Sequence, residues 1–181
     1  AQEPKPVRGQ GVLEWYEALI SAALVLVLVF SFFFRIIQVD GSSMVPTLHD
    51  GDWMAVRSIV TEVKRGDIVI ITQPWDRNVP IVKRVIAVSG DVVNIDFNLH
   101  EVYVNGEKLN EPYINEPTAL SYDMQFPLTV EEGKVFVMGD NRNASSDSRK
   151  AEIGMVDERL IVGKVLLRVF PLDSIGIPDG E

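Results

Sequence analysis

The feature that most constrains this chain is an uninterrupted apolar run near its N-terminus. Between residues 18 and 34 the sequence has no charged residue, and serine is the only polar residue type. About 17 residues at roughly 1.5 Å each span a little over 25 Å, and residues 36–37 extend the run to bilayer thickness if Arg35 snorkels toward the headgroups. We therefore predict one transmembrane helix over residues 15–37, preceded by a flexible tail over residues 1–14.

The sequence specifies the role and the membrane orientation of this apolar run less strongly than its helical structure. A buried core helix and an uncleaved signal-type anchor are alternatives, whereas a cleaved signal peptide is disfavoured because the run is long and no small-x-small site follows it. Lys5 and Arg8 before the run only weakly outweigh Arg35 and Arg57 after it. We expect the N-terminus inside the cell and the rest of the chain on the outer face of the cytoplasmic membrane.

The chain after residue 40 has the pattern of antiparallel β-structure. Short apolar runs alternate with Gly, Asp, Asn and Pro, and no 3.6-residue period persists long enough to demand a helix. Asn105-Gly106 is the strongest hairpin signal, and residues 111–130, rich in Pro, Asn and Ser, predict a long surface excursion. The predicted β-domain covers residues 38–172, and residues 173–181 form a C-terminal tail. Strands are expected over residues 53–58, 67–72, 81–88, 92–97, 101–104, 135–138 and 160–170.

Composition excludes several kinds of function. The net charge is −9, from 17 basic and 26 acidic residues, and no basic face for nucleic acid is indicated. The chain has no cysteine, which rules out disulfides, zinc-thiolate sites and thiol catalysis. His49 and His100 lie in polar connections and neither is placed as the base of a triad. A serine hydrolase built from this chain would need another base, and we predict no cofactor or metal.

Ser43, shortly after the apolar run, is the first candidate for chemistry. It lies in the segment GSSMVPTL, residues 41–48. Pro46 fixes its own φ and pushes Val45 toward extended geometry, so the residues after the serine cannot enter a helix. A neutral hydroxyl is a weak nucleophile and would need activation. The alternative is an ordinary loop before a turn.

Two adjacent cations interrupt the strand predicted over residues 81–88. Because side chains alternate across a strand, Lys83 and Arg84 face opposite sides, and one of them must lie among apolar neighbours. Burial lowers the pKa of a lysine, whereas an arginine stays charged. Lowering the lysine pKa from about 10.4 to roughly 7–8 means that burial disfavours the charged amine by about 4 kcal/mol. A neutral Lys83 could take the proton of Ser43. The alternatives are a lysine exposed on an edge strand and an arginine that merely pairs with an acid.

A polar loop over residues 139–149 directly follows the strand predicted over residues 135–138. Its small hydroxyls, amides and alternating charges can bond their own backbone and place a polar cluster at the strand end. Composition alone favours a rigid surface turn.

Taken together, these segments closely resemble the bacterial type I signal peptidases, from about residue 15 to about residue 170. In that family a membrane-anchored, mainly β catalytic domain, an antiparallel sheet or partly open barrel, uses a serine-lysine dyad to remove signal peptides from exported preproteins. The likeness rests on a transmembrane helix followed in order by SMVPT (43–47), GDIV (66–69), KR (83–84), GDNR (139–142) and SDSR (146–149).

The resemblance implies roles for individual residues. Ser43 would be the nucleophile and Lys83 the general base, and Ser145 matches the serine that hydrogen-bonds and orients the lysine amine. The Ser43 amide would be one oxyanion donor. Some family members offer a serine hydroxyl two positions before the nucleophile, where this chain has Gly41, and Ser42 is displaced by one residue, so the second donor is open. Supporting ion pairs would be Asp140 with Arg84 and Asp147 with Arg149.

The resemblance also implies substrate and location. The partners would be exported preproteins and the lipid bilayer. An extended signal peptide added beside strands near the dyad would present small residues to shallow apolar pockets, giving cleavage after Ala-x-Ala-like sequences. By resemblance these pockets are lined by Val39, Met44, Leu48, Ile81 and Val82.

Two alternatives stay open at this point. A self-cleaving repressor of the SOS type shares the serine-lysine chemistry, but it would need a DNA-binding helix-turn-helix where this chain has its apolar run. A bitopic membrane adaptor with a non-catalytic β-domain would need no dyad.

Overall fold

The apolar run forms an α-helix, α1 (Gln10–Phe33), in a computed structural model that describes residues 10–72 and 79–178. By length and composition α1 can cross a membrane, and its side chains from residue 11 onward are exposed. It begins and ends earlier than the predicted helix over residues 15–37. Residues 10–14, predicted to belong to a flexible tail, are helical; the other residues of that tail lie outside the described part of the chain.

The backbone changes from helix to strand at Phe34, where the sequence predicts more helix. Strand β1 (Phe34–Gln38) pairs with β2 (Trp53–Arg57) at one end of a sheet. Its sequence, FRIIQ, contains an aromatic and two β-branched residues, which suit a pleated strand. The predicted helix was too long because the end of α1 and the start of β1 are equally hydrophobic. The pairing of β1 with β2 is what makes this stretch a strand.

The β-domain follows the predicted strands closely. Each of the seven predicted strands is present, and each end is shifted by at most one residue. Three strands were missed: β1 and two of the three two-residue strands, which are too short to show a period; the remaining two-residue strand is the second arm of the predicted hairpin. The remaining strands are β3 (Ile68–Ile71), β4 (Ile81–Ala87), β5 (Val92–Asp96), β6 (Glu101–Val104), β7 (Glu107–Lys108), β8 (Leu128–Thr129), β9 (Lys134–Met138), β10 (Val156–Asp157) and β11 (Ile161–Phe170).

The strands form two antiparallel sheets. One has seven strands in the order β1-β2-β11-β3-β4-β9-β10, and the other has four in the order β7-β6-β5-β8. The predicted hairpin is present, with φ of 54° at Asn105 and 82° at Gly106 in the turn between β6 and β7. The predicted fold class, mainly β with one N-terminal helix, is confirmed.

Three apolar clusters fill the β-domain, and one of them anchors the segment that carries Ser43. This cluster joins Met44 and Leu48 to Met54 and Val56 of β2. Met44 is 1% exposed and Leu48 is not exposed, so both sides of the turn that follows Ser43 are held by burial. A second cluster lies under the four-stranded sheet, and a third packs β3, β4 and β9 together.

Residues 111–124, here called the strap, belong to the long surface excursion predicted over residues 111–130; most of them are exposed, but the strap is tied to the rest of the β-domain at several points. The strap has little regular structure, but Thr118 within it is fully buried. Ile114 forms a backbone bridge with Pro46, and Asn115 N donates to Asp140 O at 3.1 Å. The strap therefore packs against the Ser43 segment and the polar loop at the end of β9. Its polar composition alone predicts side chains that face solvent, because the protein groups that bind them are distant in sequence.

Candidate active site

Lys83 lies inside the seven-stranded sheet and not on its edge. β4 is bonded to β3 on one side and β9 on the other, and Lys83 is opposite Val69 of β3. The lysine residue is 3% exposed. Its amine donates to Ser43 Oγ at 2.8 Å and to the carbonyl of Val82 at 2.9 Å. The structure thus brings together the two residues that sequence reasoning paired, which are 40 positions apart.

Burial lowers the pKa of the Lys83 amine to about 8 from its ordinary value of 10.5. The main cause is desolvation, which disfavours the charged form. The carboxylates of Asp147 and Asp140 act in the opposite direction and keep the pKa from falling further. A substantial fraction of the amine is therefore neutral near pH 8, and a neutral amine at hydrogen-bond distance can accept the serine proton.

Arg84 is buried as well as Lys83. The alternation of side chains along a strand required only one of these two cations to be buried. Arg84 is 3% exposed, like Lys83. Its guanidinium binds Asp140 in a bidentate pair, with Nε to Oδ1 at 2.9 Å and Nη2 to Oδ2 at 2.8 Å, and Nη1 donates to the carbonyl of Gly66 at 3.0 Å. Arginine keeps its charge, so burial requires this full set of acceptors. The expected pair between Arg84 and Asp140 is present.

Asp140 also holds the segment that carries the serine. The hydroxyl of Thr47, four residues after Ser43, donates to Asp140 Oδ2 at 2.5 Å. From the same loop, Asn141 donates its amide hydrogen to the carbonyl of Ser43 and its side-chain Nδ2 hydrogen to the carbonyl of Ser42, both at 3.0 Å. Sequence reasoning named Thr47 and Asn141 only as parts of motifs. Their positions within those motifs were the signal for this positioning role.

A second buried ion pair closes the polar loop. Arg149 donates from Nε and Nη2 to the two carboxylate oxygens of Asp147, both at 2.8 Å, and neither side chain is exposed. Asp147 Oδ2 also accepts from the amide of Gly139 at 3.1 Å. The loop is therefore fixed at both ends, and the interpretation as a surface turn is wrong because its charges point inward.

Ser145 does not bind the lysine amine as the resemblance implies. The residue is 3% exposed, and within the described part of the chain its Oγ has no hydrogen-bond partner. The two hydrogen bonds of the amine go to Ser43 and Val82 instead. Ser145 is nevertheless near the site, since a β-carbon on Gly139 would lie 2.3 Å from Ser145 Oγ and 2.4 Å from the carbonyl oxygen of Ser43.

Gly41 and Ser42 were the two candidates for a second oxyanion donor, and the backbone amide of Gly41 already donates to another group. This amide donates to Asp50 Oδ1 at 2.9 Å, and the φ of 98° at Gly41 is one that favours glycine. Ser42 has an exposed side chain, and its carbonyl accepts from Val45 N and Asn141 Nδ2. Gly41 is thus a turn former, and its amide is tied to a carboxylate instead of being free for an oxyanion.

The five residues assigned to the substrate pocket do not share one surface. Val39, Met44 and Leu48 are buried, and Val82 packs beside them in the same cluster. Ile81 packs in the cluster between β3, β4 and β9. Adjacent residues of a strand point to opposite faces, so Ile81 and Val82 cannot line one pocket together. The half-buried ones, Ile81 and Val82, retain surface that a substrate can reach.

A third buried arginine joins the strap to the polar loop. Arg142 is not exposed, and it binds the carboxylate of Glu111 through Nη1 at 2.9 Å and Nη2 at 2.5 Å. Nη1 also donates to Thr118 Oγ1 at 2.9 Å. The ring of Tyr113 lies under Arg84, with 4.0 Å between the guanidinium carbon and the ring centroid. Sequence reasoning missed these strap residues, because nothing in the local pattern connects them to the loop.

Comparison with known proteins places this arrangement in a family. The sequence matches the family described as "Signal peptidase, peptidase S26" over residues 12–170. It is 38% identical over 185 residues to Signal peptidase I of Bacillus licheniformis, covering 96% of this chain and 97% of that protein. It is 40% identical over 173 residues to Signal peptidase I T of Bacillus subtilis (strain 168), covering 90% and 88%. A crystal structure of a signal peptidase I from Enterococcus faecalis V583 is 30% identical, with a TM-score of 0.47, and covers 59% of this chain and 98% of that one.

The sequence and its relatives define a serine endopeptidase. The chain belongs to the signal peptidase family, peptidase S26, whose activity is the removal of signal peptides from preproteins. This membership replaces both the self-cleaving repressor and the non-catalytic adaptor as explanations of the sequence.

Proposed function

We propose that this protein removes signal peptides with a dyad in which Ser43 is the nucleophile and Lys83 the general base. The observation that carries the proposal is the 2.8 Å hydrogen bond between a buried lysine amine and a serine hydroxyl. Burial supplies what the chemistry needs, because it favours the neutral amine. The nearby carboxylates are engaged by arginines, so the amine is the group left to accept the proton.

The reaction divides into two acyl transfers. Ser43 Oγ attacks the scissile carbonyl while its proton passes to Lys83, and the protonated lysine then gives that proton to the leaving amine of the mature protein. Water next attacks the acyl-serine and loses a proton to Lys83, which returns it to Ser43 Oγ as the signal peptide leaves as an acid. The amide of Ser43 is the proposed donor to the oxyanion in both steps.

The decisive experiment compares the two dyad variants with surface controls. Ser43→Ala and Lys83→Ala should each abolish cleavage of a purified preprotein while the protein stays folded by circular dichroism. Ser121→Ala and Lys64→Ala remove the same groups from exposed positions and should leave turnover unchanged. Wild-type turnover in either dyad variant would refute the mechanism.

We further propose that cleavage follows small residues at the last and third-last positions of the signal peptide. The support is Ile81, which lies two residues before Lys83 on the same face of β4 and, being half-buried, leaves only part of its surface free. A preprotein series with Ala, Leu or Phe at the last position tests this. Equal cleavage after Leu or Phe would rule out a restrictive pocket.

We also propose that α1 anchors the protein in the cytoplasmic membrane, with the β-domain on the outer face. The chain has no cysteine, so a single introduced thiol reports its own location. Glu132→Cys places that thiol at an exposed site of the β-domain. In intact cells a membrane-impermeant maleimide should label it; labelling only after lysis would reverse the orientation.

A further inference from the structure

Arg168 of β11 contacts the segment that carries Ser43 and the turn after it, at atoms that the polar loop does not bind. Its Nη1 donates to the carbonyl of Thr47 at 3.1 Å and to Asp52 Oδ2 at 3.3 Å. The same carboxylate oxygen of Asp52 accepts from the amide of His49 at 2.9 Å. One guanidinium thus reaches both the middle and the end of the turn that follows the nucleophile.

Two features show that Arg168 is aimed at this turn and held there. Strand β11 shifts register against β2 on both sides of Arg168, between Val165 and Leu167 and between Arg168 and Phe170. Such irregularities redirect a side chain relative to a regular strand. Beyond the strand, the chain folds back: Arg168 Nε donates to the carbonyl of Ser174 at 2.7 Å, and the Arg168 backbone bridges Gly176.

Thr47 is consequently held at two points. Its hydroxyl donates to Asp140, which pairs with the arginine next to Lys83, and its carbonyl accepts from Arg168. We propose that Arg168 is a positioning residue for signal-peptide cleavage, which fixes Thr47 and thereby sets the Ser43 hydroxyl against the Lys83 amine. This inference rests on the proposed dyad.

The test is Arg168→Gln, assayed on a preprotein with the full-length protein. We expect kcat to fall by about tenfold or more with KM within about twofold, because misplacing a reacting group lowers the rate without removing substrate contacts. Water reaching a loosened amine should also move the ascending limb of the pH–rate profile upward from about 8 toward 10.5. Arg168→Lys, which keeps a charged donor, should recover part of kcat.

Controls separate positioning from loss of stability. Arg159→Gln removes a similar arginine–aspartate pair, Arg159 with Asp157, at a site where the arginine side chain is 89% exposed, and should change nothing. Val104→Ala lowers stability in the other sheet and should leave kcat unchanged. If Arg168→Gln is destabilised like Val104→Ala but keeps kcat and the pH profile of the wild type, the positioning role is wrong.

Arg168→Gln leaves Asp52, which is 5% exposed, without its cation and could fail to fold. In that case the double variant Asp52→Asn with Arg168→Gln, which removes both charges, decides the question by the same two readouts. Loss of kcat in the double variant, with Asp52→Asn alone largely active, supports positioning; full kcat in the double variant overturns it. A wild-type protein that cleaves no preprotein would instead refute the proposed function.

Discussion

The backbone of Gly139 lies directly against that of Ser43: a β-carbon on Gly139 would be 2.4 Å from the Ser43 carbonyl oxygen. No real side chain tolerates such a distance, so the glycine is what lets β9 approach the nucleophile. The same carbonyl accepts from Asn141 N at 3.0 Å.

Gly139→Ala should therefore separate Ser43 from Lys83 and lower kcat by about tenfold or more. Val104→Ala is the control, because it lowers stability in the cluster under the four-stranded sheet, which does not include the Ser43 segment. Both variants should lose thermal stability. Equal kcat losses in the two would mean that the close approach at Gly139 has no special effect on the dyad.

The rate of cleavage should rise with pH as Lys83 loses its proton. With the pKa of the amine at about 8, kcat/KM for a preprotein should increase through an ascending limb centred near that pH. A midpoint near 10.5 would show that the lysine is solvated and not the buried base. Lys83→Arg should be inactive across the whole range, since guanidinium does not deprotonate.

Asp147→Asn should move this limb to lower pH. The Asp147 carboxylate raises the pKa of Lys83, and its removal also leaves the Arg149 charge unpaired, which acts in the same direction. Glu152→Gln removes an exposed carboxylate and should leave the midpoint in place. The pH–rate profiles of the two variants provide the comparison, and an upward shift for Asp147→Asn would contradict this explanation of the lysine pKa.

Replacing the lysine should stabilise the fold at neutral pH. The pKa of Lys83 in the folded protein, about 8, lies below the ordinary 10.5. Below pH 8 the buried amine is charged, and its burial lowers the free energy of unfolding by the full amount. This loss of stability becomes smaller as the pH rises from 8 toward 10.5. Urea unfolding should find Lys83→Met more stable than wild type by up to about 3 kcal/mol at pH 7, with the difference shrinking by pH 10. A difference that does not change with pH would argue against a destabilised charge.

Breaking the ion pair between the strap and the polar loop should cost far more than breaking one at the surface. Glu111→Gln leaves the Arg142 charge buried and should lower the free energy of unfolding by about 3–5 kcal/mol. Glu62→Gln disrupts a pair with Lys64 whose side chains are 67% and 65% exposed, and should cost under about 1 kcal/mol. Similar losses in urea unfolding would show that the strap is not held by this contact.

The β-domain could be predicted largely from local pattern. Strand ends coincide with turn residues, so β4 and β11 were located to within one residue. The boundary at Phe34 was misplaced because an aromatic, β-branched stretch suits both a membrane helix and a strand. What decides it is pairing with β2, a contact that local composition does not contain.

The candidate site could be predicted from sequence only in part. Local pattern named Ser43 and Lys83 as candidates, and the resemblance to the family gave them their roles and supplied the two loop ion pairs, whereas Glu111 and Arg168 went unnoticed. Both reach their partners across long stretches of chain: Glu111 lies 31 positions from Arg142, and Arg168 lies 121 from Thr47. Ser145 shows the reverse error, since its motif was found but the implied hydrogen bond is not formed.

The choice of arginine for the buried cations Arg84, Arg142 and Arg149 bears on the pH range in which Lys83 loses its proton. If these ion pairs were formed by buried lysines, the lysines would begin to lose their protons, and the pairs their charge, at the pH at which Lys83 becomes neutral. Guanidinium groups stay protonated well beyond that range. The protein can thus switch on its base by titration while the framework that aims it is insensitive to the same change.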